Sequence, residues 1–229
     1  MEITTKTFSD ETKGNYEKAR NLNKMQHQFY HCATSKKVTK RCLDLKCDYV
    51  FCQECRLGPK NNVIKEYRLQ AYLIKKALMA DSEGSNWFLP LENKKIKEWR
   101  LLDAERNFAD EDLDKEDGSG KRLDILAYEA STNSLIVLEL KVERAISTAK
   151  RELARYTATL RNNLNQASAF YSVEAKSVKG YIVCPAAKWP AELTRHTEDI
   201  SPWGLIEYNK EYLDDIEKIE FKILKEAAI

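Results

Sequence analysis

Leu135-Ile136-Val137-Leu138-Glu139-Leu140-Lys141 is an apolar run that closes on one acid and one lysine. In a β-strand successive side chains alternate between faces, so Glu139 and Lys141 share a face with Leu135 and Val137. A carboxylate and an ammonium at the end of so apolar a strand are costly unless they pair, bind a metal or take part in chemistry. The preceding stretch, Lys121-Arg122-Leu123-Asp124-Ile125-Leu126-Ala127-Tyr128, also reads as a strand, and Glu129 to Ser134 reads as the turn between them. Together they form a hairpin. With the turn centred on Ser131-Thr132, Asp124 falls directly opposite Glu139, which brings their Cβ atoms to about 5 Å on one face. A slip of one residue would send Asp124 to the other face. Two opposed carboxylates destabilise a sheet. A divalent cation between them removes that penalty, and such a pair suits magnesium, which takes one or two protein carboxylates, waters and phosphate oxygens. The plainer alternative is a surface hairpin with an exposed Glu139–Lys141 ion pair.

Working outward, Asn62 caps a helix expected over 63–80, with Val63, Tyr67, Ile74 and Leu78 on one side and Glu66 and Gln70 as an i, i+4 pair on a neighbouring face. Asp81 to Asn86 ends it. Trp99 to Phe108 reads as a first strand. Asp110 to Gly120 is acidic and reads as an exposed loop, because it lacks the spacing of a calcium loop. Beyond the opening strand, Ala145 to about Phe170 reads as one long helix, in which Ile146, Ala149, Leu153, Tyr156 and Leu160 recur at three and four. Arg144, Arg151 and Arg155 lie on another face of it. They form either a solvated stripe or a set of contacts to nucleic-acid phosphates. Gly180 to Pro185 and Trp203 to Tyr208 read as two further strands, with Pro185, Pro190 and Pro202 punctuating the loops. Cys184, in an apolar strand, reads as an inert core residue. Helix, three strands, helix and two strands amount to an α/β fold with a central mixed sheet flanked by helices.

The chain of 229 residues is long enough for one large domain or a medium domain with a small module. Its 43% hydrophobic and 32% charged residues suit a globular protein. A net charge of +2 gives no global basic field, so any nucleic-acid surface must be local. No apolar run approaches the roughly 20 residues of a membrane span, and Met1 to Arg20 lacks a signal-peptide core. A cytoplasmic, reducing location is the expectation, with no membrane partner.

In such a compartment cysteines rarely form a disulfide framework. Here five of the six lie between Cys32 and Cys55. Cys52 and Cys55 form a Cys-x2-Cys pair, and Cys42 and Cys47 are the nearest second pair for a tetrahedral ion. Cys32 or His31 are substitutes for one of them. A structural Zn2+ is the favoured reading, an iron–sulfur cluster the rival, and reduced cysteines in a small core the plain alternative. So small a segment folds on metal-binding energy. The segment resembles treble-clef-like zinc fingers, nearest the AN1 type, although an expected histidine is Cys55 here. The resulting division is an arm over 1–22, a zinc-finger-like module over 23–60 and a main domain over 61–229.

Glu66 on a helix, Asp124 on a strand, Glu139-x-Lys141 on the next strand and a helix after it form an order that resembles the PD-(D/E)xK nuclease superfamily over residues 62 to 210. The resemblance implies a restriction-endonuclease-like core and a metal-dependent hydrolase of DNA phosphodiester bonds. Asp124 and Glu139 would bind Mg2+ (or Mn2+), Lys141 would assist the attacking water, and Glu66 would support the metal. Many members dimerise, which makes a homodimer an expectation, and some carry iron–sulfur clusters. Leu123 replaces the proline of the motif. The helix after Lys141 is similar to the RecB-like branch, whose Gln-x3-Tyr pattern falls on Glu152 and Tyr156, with the glutamine replaced. The alternative is a catalytically inactive module that keeps the fold and binds nucleic acid or a protein.

Overall fold

The computed structural model describes residues 98–107, 122–188, 200–213 and 218–228, the helical positions 66, 69, 70, 72–74, 76, 77 and 80, and the single positions 89 and 191. The arm over 1–22, the cysteine module with Cys42, Cys47, Cys52 and Cys55, and the acidic loop over 110–120 lie outside the described residues.

The helical positions between 66 and 80, here α1, come first. The strands are β1 (Trp99–Asn107), β2 (Arg122–Glu129), β3 (Ser134–Leu140), β4 (Ser177–Pro185), β5 (Gly204–Tyr208) and β6 (Phe221–Lys225). Two helices, α2 (Ile146–Asn162) and α3 (Leu164–Tyr171), cross from β3 to β4, and a 3-10 turn covers Lys210–Leu213. The strands form one six-stranded sheet in the order β1-β2-β3-β4-β5-β6. β3, β4 and β5 run parallel, and β1, β2 and β6 are antiparallel to their neighbours. This is an α/β fold with a mixed sheet, as the order of elements implies. Among the described residues no helix is long and apolar enough to cross a membrane.

β3 has strand neighbours on both sides and every one of its residues is buried. A parallel strand covered on both faces needs apolar side chains at odd and even positions alike, which is why Leu135 to Leu138 forms an unbroken run. One face of the sheet carries Ile125, Ala127, Ile136, Leu138 and Val183 against Leu69, Tyr72, Leu73 and Ala77 of α1. The other carries Leu126, Leu135, Val137 and Ile182 against Ile146, Ala149, Leu153 and Tyr156 of α2. Each fully buried Leu or Ile contributes roughly 2 kcal/mol, so two packed layers hold β3 in place. On α1 the buried stripe is Leu69, Tyr72, Leu73, Ala77 and Ala80. Of the stripe expected over Val63, Tyr67, Ile74 and Leu78, only Ile74 is described, and it is buried.

Two expectations need correcting. The helix expected from Ala145 to Phe170 is two helices, broken at Asn163. The Asn163 side chain donates to Thr159 O at 2.8 Å while its backbone N–H turns to Leu160 O. A short amide side chain that bonds the preceding turn competes with the helical ladder and ends it. The sheet also gains a sixth strand, β6. It pairs antiparallel with β5 at the sheet edge, where partly exposed positions give Phe221–Lys225 little of the apolar signature that marks β3.

Candidate functional site

The β2–β3 hairpin pairs Ile125 with Leu138, Leu126 with Val137, Ala127 with Ile136, Tyr128 with Leu135 and Glu129 with Ser134. The turn is centred on Ser131-Thr132, with Asn133 N–H returning to Ala130 O and Asn133 itself at φ 50°, a conformation asparagine tolerates better than most residues. Carried one residue beyond the ladder, this register sets Asp124 against Glu139, and Asp124 Oδ2 accepts the Leu140 N–H at 2.7 Å. Asp124 is fixed from its other side by the buried Gln70, whose Nε2 donates to Asp124 O at 2.9 Å. The i, i+4 partner of Glu66 thus joins α1 to the site.

Glu139 is 2% exposed in a strand whose other described residues are apolar apart from Ser134. Lys141 Nζ lies 2.5 Å from Glu139 Oε1 and 3.0 Å from Glu152 Oε2 of α2. Glu139 Oε2 is buried and accepts no hydrogen bond. Burial, then the Asp124 charge, holds the Glu139 carboxyl well above the usual carboxylate range; Lys141 opposes this and Glu152 adds to it. Burial pulls Lys141 down, but Glu139, Asp124 and Glu66 outweigh it, so the ammonium holds its proton beyond the usual lysine range. Tyr156 is pushed up by burial and by Glu139, Asp124 and Glu152. Lys141 thus feels the charges of Glu66, Asp124 and Glu139, and Tyr156 those of Asp124, Glu139 and Glu152, while the ion-pair contacts of the ammonium are to Glu139 and Glu152.

The backbone of Lys141 is held on both sides. Its N–H donates to Val183 O at 2.8 Å, and Tyr208 OH donates to Lys141 O at 2.8 Å. The cluster sits at the carboxyl ends of the parallel strands, where open α/β sheets place ligands. A cavity of about 590 Å³ lined by Glu98, Arg100, Tyr128, Ser168, Ser172 and Glu174 lies elsewhere, at the hairpin-turn end. Tyr128 is four residues along β2 from Asp124, roughly 13 Å at strand rise, so that cavity is not where the acids converge.

The three arginines do not share one face. Arg151 is exposed and Arg155 half-buried on α2, but Arg144 precedes the helix. Its Nη1 donates to Pro185 O at 2.7 Å and pairs with Glu207. It ties the β3–α2 loop to the ends of β4 and β5. Cys184 is a free, fully buried cysteine whose thiol burial pushes up to about 12, as expected of an inert core residue. The sequence offers Gln70 only as the i, i+4 partner of Glu66 and Tyr208 only as a strand residue; their bonds to Asp124 O and Lys141 O emerge from the fold. Glu152 was legible there only as the position of the replaced glutamine.

Among the described residues no three His, Cys, Asp or Glu side chains are gathered in a metal-ligand cluster. The donor set nonetheless fits a magnesium held by Asp124 and Glu139, because that ion fills most of its shell with water and phosphate oxygens. The buried Glu139 Oε2 is an acceptor awaiting a positive partner. No family model, curated protein or solved structure matches the chain.

Proposed function

We propose that the chain is a divalent-cation-dependent deoxyribonuclease of the PD-(D/E)xK type, with a restriction-endonuclease-like core. The observation that carries this reading is the hairpin register, which sets Asp124 beside a buried, half-satisfied Glu139 with Lys141 against it. A divalent cation held by Asp124 and Glu139, with Glu66 supporting, would acidify a water and neutralise charge developing on the phosphate. Lys141, paired with Glu139, would supply positive charge near that water and assist it. Asp124 is positioned by Leu140 and Gln70, and Lys141 by Val183 and Tyr208. Neither group needs reorganising along its backbone.

The test is digestion of single-stranded, double-stranded, linear and circular DNA with Mg2+, with Mn2+ or with EDTA. Cleavage that EDTA stops and that Asp124→Asn or Glu139→Gln abolishes is the expected result. The second reading is a non-catalytic module binding nucleic acid or protein. It is favoured by Lys141 already bridging Glu139 and Glu152, an arrangement that closes the cluster on itself. DNA retained in a shift assay with no cleavage under any metal would select it.

A further inference from the structure

The Lys141 ammonium lies where a cation serving Glu139 must act. It is 2.5 Å from Glu139 Oε1, so a divalent cation taken up by the same carboxylate through Oε2, which accepts no hydrogen bond, comes close to the ammonium. A divalent ion and an ammonium a few ångströms apart repel strongly at the low effective dielectric of a buried site. Entry of the ion therefore requires the ammonium to withdraw from Glu139. The Lys141 backbone cannot withdraw, being held by Val183 O and Tyr208 OH. The side chain can, because it already touches a second anion, Glu152 Oε2 at 3.0 Å, on a different element.

We infer that Glu152 is a positioning residue: it receives the Lys141 ammonium when a divalent cation takes Glu139, and so lowers the competition between lysine and metal. This deepens the proposed function and rests on it. Without Glu152 the ammonium loses its contact on α2 and stays with Glu139, near the Asp124 and Glu66 charges, so it competes more strongly with the ion. Without Lys141 there is nothing for Glu152 to hold. The two residues are coupled through one ammonium, and the coupling is measurable.

The experiment is a double-mutant cycle on the full chain, read as Mg2+ and Mn2+ affinity by calorimetry. Glu152→Gln is expected to weaken binding about tenfold, the low end for a residue supporting a metal ligand. Lys141→Gln, which keeps an amide donor toward Glu139 but removes the charge, is expected to tighten binding. In the Lys141→Gln background, Glu152→Gln is expected to change nothing. Equal weakening in both backgrounds would make Glu152 a direct ligand and overturn the proposal, as would no effect in either.

A second measurement does not involve metal. In 15N-labelled protein, an ammonium held between two carboxylates exchanges its protons slowly enough to give a cross-peak, assigned by its loss in Lys141→Gln. That peak is expected in the unsubstituted chain and should be lost or broadened in Glu152→Gln. An unchanged peak overturns the role of Glu152. A chain that binds neither ion overturns the metal reading, and the ammonium signal then decides Glu152 by itself.

Discussion

Glu139 sits in an environment that opposes its charge. Its neighbours on the same face are Val137 and Leu135, and Asp124 and Glu152 add their own negative fields. Among the described residues, Lys141 counters them. Residues kept at a cost to the fold stabilise it when neutralised. Glu139→Gln is therefore expected to raise stability by about 1 kcal/mol at neutral pH while abolishing cleavage, read by urea melts alongside the digestion assay. Lys141→Met should do the opposite to the fold. It strands Glu139 without its counter-charge, and breaking a buried pair from one side costs about 3 kcal/mol or more. Equal effects of the two substitutions on stability would show that the pair is structural only.

At the turn end of the same hairpin a second buried acid shows the reverse balance. Burial pushes the Glu129 carboxyl up, but hydrogen bonds from Thr132, Lys179 and Trp99 and the Lys179 charge outweigh it and bring it down to about 2. A folded value of about 2 against an ordinary 4.5 means the folded state favours the ionised form. The stability this contributes is fully present above about pH 4.5 and is lost as pH falls toward 2. Its size is on the order of 2 kcal/mol. Denaturant melts of the wild type and Glu129→Gln from pH 7 to 3 should show a gap that narrows below pH 4.5. A gap independent of pH would mean the Lys179 contact contributes no charge interaction.

Elements impose tighter steric limits. Gly204 opens β5 beneath the Tyr181 ring, and a Cβ there would press on that ring and come within 2.8 Å of the Ala227 backbone nitrogen. Backbone cannot move aside as a flexible side chain does, so Gly204→Ala is expected to cost about 3 kcal/mol, measured as a lower urea midpoint. This level also shows which features the sequence makes readable. The α2 stripe Ile146, Ala149, Leu153, Tyr156 and Leu160 is buried at every position, because period and packing agree over many turns. The hairpin register is readable because a turn centred on Ser131-Thr132 between two apolar runs sets which residues lie opposite each other. The break at Asn163 was not, since one side chain bonding backward leaves no trace in the periodicity. Nor was Gln70, whose role depends on α1 packing across the far face of the sheet onto Asp124. The acids Asp124 and Glu139 stood out as charges in apolar strands. Glu152 did not, because on an amphipathic helix an acid is ordinary.

For the whole molecule, a net charge of +2 means that the proposed DNA binding would rest on local patches, and the fold decides which arginines could form one. Arg144 is spent on Glu207 and Pro185, holding the site's loop to β4 and β5. Its removal leaves Glu207 short of its counter-charge, so Arg144→Ala should lower the unfolding midpoint while leaving the salt dependence of DNA binding unchanged. Arg151 is exposed on the helix that also carries Glu152 to the site. A phosphate contact releases one counterion per charge, so Arg151→Ala should weaken binding alike across sequences. It should also reduce the slope of log K against log salt by about 1. The two substitutions remove the same side chain and the same charge, yet one should register only in the melt and the other only in the salt titration. An unchanged slope in Arg151→Ala would remove α2 from the DNA path. A reduced slope in Arg144→Ala would mean that the Glu207 pair opens when DNA binds.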